Sequence, residues 1–206
     1  MGRACWWLAP LHELVLSTVL SSPKVFADDT TLPVLDPGRG RTKTGRLWCY
    51  AVDNRPWCGP GHPAAAYVYS EDRKGEHPQT HLRGFRGLLQ VDGYAGFGGL
   101  VSGESDEGPQ LAFCWAHARR KFYDIQVATK SPLAEEALRR IAELYAIEDG
   151  IRGIPAESRQ SVRQQRSRPL VQAMHAWLTE QIERVSPGTG NALCPESLAR
   201  AGPVSR

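Results

Sequence analysis

Between residues 24 and 114 the chain is a succession of apolar runs too short for helices, each closed by a turn or a polar residue, and this punctuation points to strands of a sheet. Residues 24–27 read as a short strand that runs into Asp28-Asp29-Thr30-Thr31, and Asp36-Pro37-Gly38-Arg39-Gly40 is a turn by its residues. Residues 45–52 alternate and are rich in Trp, Tyr and Val. After a long turn (Asp53-Asn54-Arg55-Pro56, then Gly59-Pro60-Gly61), residues 64–69 resume the pattern, so the two strands suggest an antiparallel pair. Residues 76–85 form a short helix with Pro78 in its first turn, where proline is tolerated. Residues 88–91 are then a buried strand ending at Asp92, residues 93–108 a glycine-rich loop or short helix, and residues 110–114 another strand.

Helical patterns flank this region. Residues 9–21 read as a helix closed by Ser21, Ser22 and Pro23, and residues 116–127 as another. Ser131-Pro132 is a helix start signal. Beyond it Leu133, Ala137, Ile141, Leu144 and Ile151 lie along one side, with Glu135, Arg139 and Glu143 opposite. A second long helix carries Leu170, Val171, Met174, Trp177, Leu178, Ile182 and Val185 on one face. The order implies an α/β or α+β core with mixed strand pairing, followed by a two-helix insertion or appendage. The expected division is an N-terminal helix over 1–23, a core over 24–130, a helical insertion over 131–185, and a tail over 186–206 that lacks periodicity and is expected to be disordered.

The composition, 41% hydrophobic and 23% charged, is that of a globular chain, and excludes collagen-like and disordered classes. The net charge of +3 matters only because the cations cluster: Arg39, Arg41, Lys43 and Arg46; Arg119, Arg120 and Lys121; Arg159, Arg163, Arg166 and Arg168. Such runs suit a phosphate backbone, and equally a solvated face. Five scattered cysteines without close spacing point to a reducing, cytoplasmic setting. Arg3 and the apolar stretch after it loosely imitate a secretory signal, but Pro10, His12 and Glu13 interrupt it, and a packed amphipathic helix explains the spacing better. No stretch approaches the ~20 apolar residues of a membrane span.

Asp28 and Asp92 are the carboxylates best placed for chemistry, because each is expected to close a short apolar strand and project from a sheet edge. Hard cations such as Mg²⁺ take oxygen ligands in this way; aspartates at strand ends also serve as plain turn residues.

The words around them carry more. Val25-Phe26-Ala27-Asp28-Asp29-Thr30, the run from Pro33 to Trp48, Tyr69-Ser70-Glu71-Asp72-Arg73-Lys74-Gly75-Glu76-His77-Pro78, Leu89-Gln90-Val91-Asp92-Gly93-Tyr94-Ala95-Gly96 and Cys114-Trp115-Ala116-His117-Ala118-Arg119-Arg120-Lys121-Phe122 together resemble the core of the insertion-sequence-66 family of bacterial transposases, over roughly residues 2–185. The resemblance implies a ribonuclease-H-like mixed sheet with flanking helices, and a DDE site in which two aspartates and a glutamate hold two Mg²⁺ ions. Asp28 matches the first aspartate and Asp92 the second; Asp29, Cys114 and His117 are expected beside the ligands rather than among them. It also implies DNA as partner, both transposon ends and target, with Arg41, Lys43, Arg46, Arg119, Arg120 and Lys121 as the contacts, possible homo-oligomers with full-length transposase, and no membrane.

The family's third acid lies beyond the helical region, in a segment that the residues after Val185 do not resemble. A frameshift explains that departure, and the N-terminal DNA-binding and zinc-binding regions of full-length members are likewise expected to be missing. Glu135, Glu136, Glu143 and Glu148 read as a solvated face rather than as a substitute. The expected function is therefore that of a transposase fragment, inactive alone; the alternative is a non-catalytic remnant that binds DNA weakly or does nothing. Cys114-x-x-His117 with His77 and His81 could make a zinc site, against a simpler reading of Cys114 as a small buried residue and His117 as a local hydrogen-bond partner. Trp48, Trp57 and Trp115 are expected in packing rather than in base stacking.

Overall fold

The computed structural model describes residues 2–57, 59–101 and 108–184, which form two compact units. The first comprises the chain through Asn54 together with Gly61–Ala112; the second comprises Arg55–Pro60 and the chain from Phe113. The expected disordered tail lies outside the described residues.

The first unit is built on β1 (Lys24–Asp36), β2 (Arg41–Val52), β3 (Ala64–Ser70), β4 (Leu88–Val91) and β5 (Gln110–Phe113). These strands make one mixed sheet in the order β3-β2-β1-β4-β5, with β1–β2 and β2–β3 antiparallel and β1–β4 parallel. The antiparallel pair expected from residues 45–52 and 64–69 is present. Period-two alternation puts Val25 and Ala27 of β1, Trp48 and Tyr50 of β2, Ala66 and Ser70 of β3, and Leu89 and Val91 of β4 into the buried face. Trp48 sits at the centre, edge-on to Phe97 at 6.0 Å, and its indole Nε1 donates to Ser70 Oγ at 2.8 Å. Ser70 in turn donates to the Asp72 carbonyl, so no polar atom of this pair is left buried and unsatisfied.

β1 is far longer than the apolar run that announced it. Polar residues and Pro33 break the pattern after Ala27, but β2 runs alongside through Asp36↔Arg41 and supplies backbone partners whatever the side chains are. Asp28 therefore lies inside a strand and not at its end, which corrects the expectation; Asp92 does follow the last residue of β4. Residues 37–40 turn as expected, with Gly38 and Gly40 at φ +86° and +60°, where a Cβ would be strained.

α1 (Gly2–Leu20) passes through Pro10 rather than starting near it, and α2 (Glu76–His81) stops four residues earlier than expected. Val19 of α1 is fully buried, whereas Trp6, Trp7, Leu8, Leu11 and Leu14 are exposed, so the expected packing holds for the C-terminal end of this helix and not for its start. Among the described residues no helix is long and apolar enough to cross a membrane.

The second unit holds α3 (Trp115–Thr129), α4 (Pro132–Gly150), α5 (Ala156–Val162) and α6 (Arg168–Arg184). Ser131 caps α4, its Oγ accepting from Ala134 N–H, with Pro132 in the first turn. Phe122, Ala134, Ala137, Ile141 and Met174 form the core, and Trp115, Trp177 and Leu178 pack against it. Leu144 and Ile151 are buried as the periodicity predicts. A π-helical stretch, Arg163–Ser167, joins α5 to α6, so the second long helix begins well before its first apolar residue.

Two residues of the third basic run, which suits either a phosphate backbone or a solvated face, are occupied in this unit. Arg159, almost buried, donates to Glu148 and to the Pro56 carbonyl, and Arg163 grips the same carboxylate through Nε and Nη2. Glu148 is thus a clamp, which corrects its reading as part of a solvated face. Glu136 fits that reading, sharing its carboxylate between Arg139 and Arg140.

The Arg163 and Arg159 guanidiniums hold the Glu148 carboxyl below its usual range despite partial burial. A depressed folded value means the clamp contributes its full stability above the ordinary glutamate value of 4.5, and loses it as the pH falls below that. Thermal melts between pH 6 and pH 3 should therefore decline less steeply for Glu148→Gln than for the parent chain, the parent's excess stability being confined to the upper end.

Candidate active site

β1 and β4 run parallel with Lys24↔Leu88, Val25↔Leu89 and Phe26↔Gln90 in register. Continuing that register sets Asp28 level with Asp92, on the side of the sheet occupied by Phe26 and Gln90. One carboxylate oxygen each from Asp28, Asp29 and Asp92 lies within 4.8 Å of the other two. The sequence pairing of Asp28 with Asp92 is thus a spatial one.

The three acids differ in surroundings. Asp28 is exposed, its Oδ1 accepting from the Asp29 N–H at 2.8 Å. It lies opposite Cys49, whose thiol is pushed up by burial, with the Asp28 charge adding to the effect. Asp92 is partly buried, with Oδ1 fixed by the Tyr94 N–H at 2.8 Å. Gly93 between them adopts φ +93°, a turn that returns the Tyr94 amide to the carboxylate.

The Asp29 side chain is only 1% exposed and is met by two guanidiniums. Arg73 approaches as a fork, Nε at 3.0 and 3.1 Å and Nη2 at 2.7 Å, while Arg46 Nη1 contacts Oδ2 at 2.9 Å. The same Arg73 Nη2 reaches Asp92 Oδ2 at 3.3 Å. The Tyr94 ring lies under the Arg73 guanidinium at 4.1 Å, and its hydroxyl donates to the Arg73 carbonyl. A Cβ on Gly96 would fall 2.1 Å from that ring, so glycine there is what lets Tyr94 lie flat.

Arg46, expected on DNA, is therefore found on Asp29. Arg41 and Lys43 are exposed on the part of β2 that runs beyond β3, opposite Asp36 and Val34 of β1. Arg119, Arg120 and Lys121 are exposed on α3 in the other unit. Cys114 precedes α3 and His117 lies in its first turn, both half-buried. His77 Nε2 donates to Asp72 Oδ1 (2.7 Å), and His81 Nδ1 is hydrogen-bonded to the Tyr50 hydroxyl (2.9 Å). Arg73 and Tyr94 were not singled out from the sequence, although both lie inside motifs that were.

Three hard oxygen donors, all within 4.8 Å of one another, are the donor type that a small divalent cation such as Mg²⁺ takes. Asp29 is neutralised by its arginines, so Asp28 and Asp92 are the residues that would hold one. A second grouping among the described residues, Asp72, Glu76 and His77, is already paired internally: Lys74 Nζ lies 3.0 Å from Asp72 and 3.9 Å from Glu76. The Lys74 amide, which donates to Asp72 Oδ1 at 3.1 Å, then the Lys74 ammonium and His77, hold the Asp72 carboxyl down at about 2.

The profile of the IS66 transposase family matches residues 1–201. The chain belongs to that family. The match continues past Val185, where the resemblance read from motifs stops. Relatives include three proteins of Sinorhizobium fredii (strain NBRC 101917 / NGR234). The uncharacterized protein y4jD is 49% identical over 187 residues, 89% of this chain and 37% of its own length. The uncharacterized protein y4hP is 42% identical over 199 residues, 90% of this chain and 36% of its own. The uncharacterized protein y4qI is 40% identical over 190 residues, 90% of this chain and 35% of its own. This IS66 chain thus spans a little over a third of the length of those relatives. No solved structure matches it.

Proposed function

We propose that this IS66 chain carries the central part of a DDE transposase core, in which Asp28 and Asp92 hold a Mg²⁺ ion for phosphodiester chemistry on DNA. The observation that carries the reading is the approach of those two carboxylates from parallel neighbouring strands to within 4.8 Å. The strand order β3-β2-β1-β4-β5, with an antiparallel meander followed by a parallel strand, supports a ribonuclease-H-like assignment.

A bound divalent cation supplies electrostatic polarisation of the phosphate under attack. The chain's own residues prepare for it. Asp28 and Asp92 present oxygen ligands whose second oxygens are oriented by backbone amides, and Arg73 with Arg46 neutralises Asp29, so that three negative charges do not have to share one site. Arg41 and Lys43 face solvent on a two-stranded ribbon, an element that a DNA groove admits. Arg119, Arg120 and Lys121 on α3 are further phosphate contacts in this reading. The setting is the cytoplasm, the partners are transposon-end and target DNA, and homo-oligomers with full-length transposase complete the machinery. Glu136, Glu143 and Glu148 of α4 are engaged with arginines, so the third ligand of a two-metal site is not drawn from them; in this reading the chain alone is inactive.

Labelled transposon-end duplex incubated with the chain and Mg²⁺ or Mn²⁺ should remain un-nicked. Nicking lost in Asp92→Asn would overturn the inactivity but keep the site; nicking indifferent to Asp92→Asn would sink the site. DNA binding itself should be weak and salt-dependent. Replacing Arg41 and Lys43 together by alanine should lower the slope of log affinity against log salt by about 2, roughly one for each phosphate no longer neutralised, and an unchanged slope would remove the ribbon from the interface.

A further inference from the structure

Arg73 holds two of the three acids at once, but unequally. Its Nε and Nη2 make short contacts to Asp29, whereas the arm from Nη2 to Asp92 Oδ2 is 3.3 Å, at the long end for a charge-assisted bond. The guanidinium is also fixed independently of Asp92. It lies on the Tyr94 ring at 4.1 Å, and the Tyr94 hydroxyl donates to the Arg73 carbonyl. Asp92 in turn keeps its Oδ1 on the Tyr94 amide. The long arm can therefore be given up without moving either residue.

We propose that Arg73 is a positioning residue that serves as the resident counter-cation of the acidic pair, and that a divalent cation takes Asp92 Oδ2 from it while Arg73 stays on Asp29. The inference rests on the reading of Asp28 and Asp92 as the cation site. It gives Arg73 two consequences of opposite sign. Without a divalent cation, its charge keeps Asp92 beside Asp29 and Asp28 against carboxylate repulsion. With one bound, the guanidinium charge a few ångströms from Asp92 repels it and so weakens binding. The site is thereby set to take up its cation loosely.

The two roles separate in a binding experiment that needs no DNA. Mn²⁺ uptake by the full chain, followed by the electron paramagnetic resonance of free Mn²⁺, is measured for the parent, Arg73→Gln and Asp92→Asn, with circular dichroism to verify folding. The parent should bind with an affinity that Asp92→Asn abolishes, and Arg73→Gln should bind roughly tenfold more tightly, since a nearby positive charge has gone. Should Arg73→Gln fail to fold because Asp29 loses its fork, Arg73→Lys decides: it keeps a positive charge on Asp29 but has no second arm competing for Asp92 Oδ2, and should bind more tightly than the parent by less than the roughly tenfold expected of Arg73→Gln. Unchanged or weaker binding in the folded variant overturns the counter-cation role, as an ordinary structural residue would give that result. Binding absent in the parent and in both Arg73 variants overturns this inference together with the cation site, whereas Asp92-dependent binding that ignores Arg73 leaves the site standing and removes only the inference.

Discussion

Replacing Trp48 with alanine should destabilise the sheet unit by about 3–5 kcal/mol, the range for emptying a buried aromatic site. The side chain is fully buried and lies between His81, Tyr94 and Phe97, with ring centroids 6.0–6.3 Å away. Its Nε1 also donates to Ser70, so the variant loses a hydrogen bond along with the packing. Urea unfolding followed by near-ultraviolet circular dichroism checks this. A loss below about 1 kcal/mol would mean that the centre of the unit is elsewhere. Trp48→Phe, which fills most of the volume but cannot donate, should fall between the two.

The second large effect concerns the two adjacent aspartates, which the structure treats oppositely. Asp29→Ala should cost about 2–3 kcal/mol, because it leaves Arg46 and Arg73 facing each other without the carboxylate between them. The usual 3–5 kcal/mol for breaking a buried pair is reduced here because both arginines are partly exposed, at 25% and 37%. Asp28→Ala, at an exposed position, should stay within about 0.5 kcal/mol of the parent. Chemical denaturation of the two variants side by side settles the division of labour. Equal losses, or a larger loss at Asp28, would mean that the arginine fork does not anchor this corner of the sheet.

That division was only half legible in the sequence. Residues 88–91 and the turn at 37–40 announce themselves through local chemistry, and the structure puts β4 and the hairpin where the residues call for them. The Ser131-Pro132 cap and the spacing of Ala137, Ile141 and Leu144 did the same for α4. What was missed depends on partners far along the chain. Arg73 meets Asp29 across 44 positions and Asp92 across 19, separations at which no spacing rule operates. Basic clusters were read by charge alone, and charge does not tell a cation awaiting phosphate from one already holding a carboxylate: Arg46, Arg159 and Arg163 are of the second kind. The length of β1 escaped because its outer half is held by the backbone of β2 and not by its own apolar residues. A signal was available for the arginine fork: Asp29 follows Ala27 with the period of the buried face, and an acid predicted to point inward requires a cation.

The most direct test is the divalent-cation affinity of Asp28→Asn and Asp92→Asn, measured by calorimetry with Mn²⁺ beside the parent chain and Asp29→Asn. A site shared by the first two side chains requires that either substitution alone remove the binding while both variants stay folded. Binding that survives in one of them, or that depends on neither, would contradict the assignment of these carboxylates to a common ion.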